Sequence, residues 1–161
     1  MIFDEYLYKY GLHDCIVDDI TIDGQKICFH FNFGVYLLDK SGKETDKTAS
    51  CIMSIEIADL DINEIWEHVV IYRIFKNKIN EIQYKKFVEE VQNFKFNIDI
   101  NYLSSFCNDI LIEGYISKHK YQIRISEIYK IEFLFISHKW KNIKSIKFFS
   151  SRLCLLLLKS M

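Results

Sequence analysis

Residues 16–33, IVDDITIDGQKICFHFNF, form two alternating hydrophobic runs joined by Asp23-Gly24. An Asp-Gly pair between such runs is a strong signal for a two-residue β-hairpin, because glycine accepts the positive φ that a tight turn demands. With those two residues in the turn, Ile22 pairs with Gln25 and the rest of the register follows. Ile16, Ile20, Ile22, Ile27, Phe29, Phe31 and Phe33 then share one face, with Asp18 as the exception among them. Cys15, Val17, Asp19, Thr21, Lys26, Cys28, His30 and Asn32 share the other. One oily face and one mostly polar face are what a half-buried antiparallel pair requires.

The rest of the chain extends this pattern. Phe3, Tyr6, Leu7 and Tyr10 lie on one stripe, which predicts a short helix over 1–11 ended by Gly11. The second hairpin strand is expected to continue through Gly34 to Leu38, followed by a polar loop at 39–47. Residues 49–57 alternate cleanly, and 67–75 read as another strand. Tyr84, Phe87, Val88 and Val91 fall at helical spacing, which predicts a helix over 81–93, with Asn80 and Gln83 placed like a capping box. Strands are expected at 94–100 and 130–137, and a second hairpin at 109–127. A turn at Lys118-His119 puts Ile110, Ile112, Ile116, Tyr121, Ile123 and Ile125 on one face, with Glu113 opposite Arg124. The tail over 140–161 fits neither the helical nor the strand period. The expectation is one β-rich domain over 1–161 of the α+β class, mainly β. It has largely antiparallel sheets of about seven or eight strands and one substantial helix packed on them.

Composition bounds the class. Half of the 161 residues are hydrophobic and 16% are aromatic, enough to bury a real core. Proline is absent and glycine occurs five times, so no linker is marked. Asp4 and Glu5 stand where a signal peptide carries basic residues, and the late apolar run Leu153–Leu158 is far short of the about 20 residues of a membrane span. Five cysteines without a spaced framework read as reduced thiols, so a cytoplasmic location is expected. Residues 1–70 hold 14 acids against 5 bases, and residues 71–161 hold 8 acids against 16 bases. Folding is expected to interleave the two halves, while an acidic face for a basic partner is the sharper alternative.

The triplets HDC at 13–15 and CFH at 28–30 look like a metal or catalytic set. In the hairpin register Cys15 and Cys28 lie about 13 Å apart along the ladder, too far for a disulfide or a shared zinc. No metal or cofactor is expected. Cys15 and His30 meet on a diagonal, so a small Cys/His hydrolase is a further alternative, but it needs a lowered thiol pKa and an oxyanion hole. Asp14 enters the first strand, where an Asp side chain commonly accepts backbone N–H groups.

LHDC, then I-V-x-x-I, the Asp-Gly turn and I-C-F-H-F resemble the opening of small bacterial immunity-type families encoded beside polymorphic toxins, over residues 12–38. The resemblance implies a β-rich, non-enzymatic domain in which His13 and Asp14 are structural and Cys15 fills a small packing position. It implies stoichiometric binding of a cognate protein toxin. Asp39, Glu44, Asp46, Glu56, Asp59, Asp61, Glu64 and Glu67 are then candidates for meeting a basic nuclease, with exposed Tyr and Trp as anchors. The main alternative is a nucleic-acid-binding module. It would use Lys118, Lys120, Arg124, Lys130, Lys139, Lys141, Lys144 and Lys147, interleaved with Tyr121, Tyr129 and Trp140.

Overall fold

A computed structural model describes residues 9–104 and 108–136. The predicted hairpin is present as β3 (Asp19–Asp23) and β4 (Lys26–Phe31), one pairing step away from expectation. Asp23 pairs with Lys26 and Ile22 with Ile27, so the loop is Gly24-Gln25 rather than Asp23-Gly24. Gly24 has φ +59° and Gln25 is not in the left-handed region, the type II′ pattern, in which glycine takes the first loop position. Sliding a turn by one residue moves every partner by two, so the faces survive: Ile20, Ile27, Phe29 and Phe31 are buried together. Phe33 does not join them. It lies beyond β4 and is 65% exposed. Val17, assigned to the polar face, is buried, because Ile16–Val17 forms β2 in a different sheet. Asp18 is buried between the two strands, where its carboxylate accepts the Asn32 N–H at 2.8 Å and lies 3.8 Å from Lys95 Nζ.

The described strands number 13, more than the seven or eight expected, because short pieces build a third sheet and Ile16–Val17 and Lys78–Glu81 add short edge strands to the six-stranded one. A four-stranded sheet has the order β13 (Ile128–Phe135), β7 (Cys51–Ile57), β4, β3. A six-stranded sheet has the order β2, β10 (Phe96–Ser104), β11 (Asp109–Ile116), β12 (His119–Ile125), β8 (Val69–Phe75), β9 (Lys78–Glu81). The small sheet joins β1 (Tyr10–Gly11), β5 (Tyr36–Leu38) and β6 (Glu44–Lys47). Every pairing among the described residues is antiparallel. Tyr10 and Gly11 are therefore strand and not helix, since they pair with Leu37 and Tyr36. Lys9 is a turn residue, and residues 1–8 of the predicted N-terminal helix and the tail at 140–161 lie outside the described residues. Of residues 39–47, expected as a loop, only 39–43 are one, since Glu44–Lys47 form β6 and pair back on β5.

The two larger sheets bury their apolar faces in one continuous core. The second predicted hairpin is also offset by two residues, in the opposite direction from the first. Ile116 pairs with His119, Glu113 with Gln122, and Arg124 with Leu111. The expected Glu113–Arg124 pair is replaced by Lys120–Glu113 at 2.7 Å and Arg124–Asp109 at 2.5 Å.

The α-helix, α1, runs Tyr84–Phe94, later than the expected 81–93. Asn80 is in β9, and Gln83 at the N-cap makes no side-chain cap bond, so the capping box does not form. Phe87 and Val91 enter the core, with Phe87 at 5.5 Å from the Phe96 ring and 5.4 Å from that of Tyr121. Tyr121 O–H donates to Glu90, and Arg73 Nη1 lies 3.7 Å from the same carboxylate. Burial, with Glu90 beside it, pushes the Tyr121 phenol up to about 12.

Candidate functional site

The segment between β7 and β8 turns through a 3-10 helix, Ile62–Glu67. Asp61 caps it by accepting the Asn63 N–H at 2.8 Å. Non-helical geometry at Glu64 interrupts it, with φ −121° and ψ 24°. A piece this short turns only Ile65 into the core, which leaves Ile62 54% and Trp66 62% exposed. At its end, the His68 carbonyl accepts the Ser126 N–H at 2.9 Å, tying the segment to the β12–β13 turn. The exposed apolar side of the 3-10 helix faces α1 across an open groove of about 840 Å³. Ile62, Ile65, Trp66, Val69, Ile82 and Val88 form its apolar lining, and Glu81, Lys85 and Glu89 stand among the polar residues. Such an apolar cleft with a few charges at its rim suits a protein or peptide segment.

The eight acidic candidates fall on separate elements. Asp59, Asp61, Glu64 and Glu67 lie on or beside the 3-10 helix; Asp61 is used as its cap and the other three are exposed. Asp39, Glu44 and Asp46 belong to the β5–β6 hairpin. Asp39 Oδ1 there accepts the N–H groups of Ser41 and Lys43 and the Ser41 hydroxyl, which holds its carboxyl below the usual range. Glu56 sits on the outer side of β7, with Lys26 Nζ 3.9 Å away. The sequence names acids that flank the groove, Asp59, Asp61, Glu64 and Glu67, but neither Trp66 nor the lining acids Glu81 and Glu89. The available signal for Trp66 was DINEIW, an Asp cap followed by apolar residues at a spacing of three.

The HDC triplet is a turn. Cys15 N–H donates to the Leu12 carbonyl at 3.0 Å, and Asp14 takes φ +56°. Leu12 and Cys15 point into the core while His13 and Asp14 point out. Asp14 acts through its backbone, and not through the side-chain cap expected of it. Its N–H donates to Ile98 O at 2.8 Å, and Ile98 N–H returns a bond to Cys15 O at 2.9 Å. His13 Nδ1 lies 3.4 Å from Asp14 Oδ2.

Cys15 and Cys28 do not share a ladder, since Cys28 pairs with Thr21 while Cys15 precedes β2. Cys15 Sγ donates to the Gly11 carbonyl at 3.5 Å, and His30 Nε2 lies 2.8 Å from Thr21 Oγ1. Burial pushes the thiols of Cys15 and Cys28 up, and that of Cys51 from 9.0 to about 11. A thiol raised in this way is protonated at neutral pH, the opposite of an activated nucleophile. In the native protein, iodoacetamide at pH 8 is expected to label Cys15 and Cys51 at least tenfold more slowly than in urea, as followed by mass spectrometry. A raised folded pKa stabilises the fold below the unfolded value. Stability is therefore expected to fall as pH rises from about 9 toward 11, measured as the urea midpoint.

The basic and aromatic stripe divides between sheets. Lys120 and Arg124 lie on β12 with carboxylate partners, Tyr121 is buried, and Lys130 on β13 has Glu132 at 2.5 Å. Lys139, Trp140, Lys141, Lys144 and Lys147 lie outside the described residues. Among the described residues no cluster of three or more His, Cys, Asp or Glu is placed to hold a metal, and no helix is long and apolar enough to cross a membrane. No protein-family model, curated protein or solved structure matches the chain.

Proposed function

We propose that the protein is a non-enzymatic, stoichiometric binding protein of the immunity type. It takes a basic protein toxin domain in the groove between the 3-10 helix and α1. The observation that carries the reading is Trp66, a large aromatic left 62% exposed on a groove wall. Tryptophan is among the commonest interface anchors, since one side chain can bury a large area at little rotamer cost. Asp59, Glu64 and Glu67 beside it, and Glu81 and Glu89 in the lining, outnumber Lys85 there and favour a cationic partner. Those charges steer encounter, while the apolar lining and Trp66 hold the complex. A cytoplasmic location belongs to the proposal and is supported by the free thiols Cys15, Cys28 and Cys51.

Co-expression with the product of the adjacent gene tests it. A copurifying complex, rescue of growth, and loss of about 30-fold in affinity on Trp66→Ala, roughly 2 kcal/mol, are expected. Failure to copurify, or an unchanged affinity in the variant, overturns the reading. Salt-sensitive binding of an oligonucleotide through Lys120 and Arg124 would replace it with the nucleic-acid alternative.

A further inference from the structure

We infer that the partner docks on β9 by adding a strand to the six-stranded sheet, so that its docking element is extended backbone continuous with the groove. This rests on the binding reading above and names the form the partner takes. β9 ends the sheet and pairs, among the described residues, only with β8. All four of its residues are exposed, and at its end Glu81 and the following Ile82 line the groove.

The register tells which backbone groups β8 leaves unpaired. Lys78 pairs with Phe75 across the two-residue loop Lys76-Asn77, and Asn80 pairs with Arg73. Ile82 N–H donates to Ile71 O at 2.8 Å, one further step of the same alternation. In an antiparallel pair only alternate residues exchange bonds with the neighbouring strand. Lys78, Asn80 and Ile82 therefore face β8, and the N–H and C=O groups of Ile79 and Glu81 face outward. An open edge of this kind is a template for strand addition. Natural edges are commonly blunted by charge at the centre, but here the central Ile79 is apolar and 65% exposed.

The side chains read the added strand. Ile79 and Glu81 share a face with Tyr72 and Ile74, and Lys78 and Asn80 share the opposite one. An antiparallel segment complementary to both faces reads basic, polar, apolar, acidic from its N-terminus, opposite Glu81, Asn80, Ile79 and Lys78 in turn.

The probe is the peptide acetyl-Thr-Lys-Thr-Val-Glu-Thr-amide, added to isotope-labelled protein. At ten times its dissociation constant, amide exchange at Ile79 and Glu81 is expected to slow about tenfold. The same peptide N-methylated at its lysine and valine is expected to lose at least tenfold in affinity. Glu81→Pro removes one outward donor together with the carboxylate opposite the peptide's lysine and spares the bonds to β8, so it is expected to weaken binding at least tenfold more than Glu81→Gln, which removes the charge alone, with the urea midpoint little changed. If this variant unfolds, the methylated peptide makes the same test on the native protein. No binding, or binding that protects α1 and leaves Ile79 and Glu81 unchanged, overturns strand addition. The broader binding reading is judged separately, by the toxin complex and Trp66→Ala.

Discussion

Phe87→Ala is expected to destabilise the protein by about 3–5 kcal/mol, read as a large fall in the urea midpoint without a change in slope. The size follows from where the ring sits. Phe87 is fully buried and packs against Phe96 and Tyr121, so truncation removes its own burial and leaves a void lined by two aromatic rings. The same ring carries much of the docking of α1. Without it, the helix is held by Val91, by the contacts of Glu90 with Tyr121 and Arg73, and by Gln92 Nε2 donating to Asp19 at 2.8 Å. Because α1 supplies one wall of the groove, partner affinity is expected to fall with stability. Trp66→Ala separates the two effects, since an exposed side chain can be truncated with little loss of fold. A Phe87→Ala protein that kept its midpoint within about 1 kcal/mol would show that α1 does not depend on this contact.

The core was legible in the sequence to a greater depth than the pairings that build it. Ile20, Ile27, Phe29, Ile110, Ile112 and Ile123 are buried as their alternation predicts, although both hairpins pair two residues away from the expected register. Strand periodicity is two, so an offset of two preserves faces and changes partners. That is why the apolar pattern was right and the Glu113–Arg124 pair was not. The helix boundary failed for a different reason. Lys76 and Asn77 both take positive φ, at 45° and 64°, and turn the chain back so that Lys78–Glu81 becomes strand before α1 starts. Polar residues at 39–47 hid the β5–β6 hairpin, since the exposed pattern of β6 offers no hydrophobic alternation to read. The groove was half legible. The acids flanking it on the 3-10 segment were visible as charge, but Glu81 and Glu89 in its lining were not singled out, and the exposure of Trp66 depends on how a short 3-10 turn meets α1, a tertiary fact without a local signature.

Gly34→Ala is the second substitution with a large expected cost, at about 3 kcal/mol or more, and it acts through the backbone. Gly34 sits where the chain leaves β4 for β5, passing from the four-stranded sheet to the small one. Its N–H donates to Phe31 O at 3.1 Å, Val35 N–H donates to Thr48 Oγ1 at 3.0 Å, and Thr48 N–H donates to Val35 O at 2.8 Å. Two costs coincide here. With φ at +72°, any side chain meets the left-handed penalty, about 1 kcal/mol or more. An added Cβ would also press on the Thr48 carbonyl oxygen and come within 2.7 Å of Ala49 O, both of them backbone atoms. Such an overlap is relieved only by moving the crossing segment, at a further 1–3 kcal/mol or so. Gly42→Ala isolates the first cost. Gly42 has φ +79° with open space where a Cβ would go, so only about 1 kcal/mol is expected there. Urea midpoints of the two variants measured together give the steric part by difference. Equal losses would mean that the crossing segment yields freely, and that β5 is not locked to β4 by this close approach.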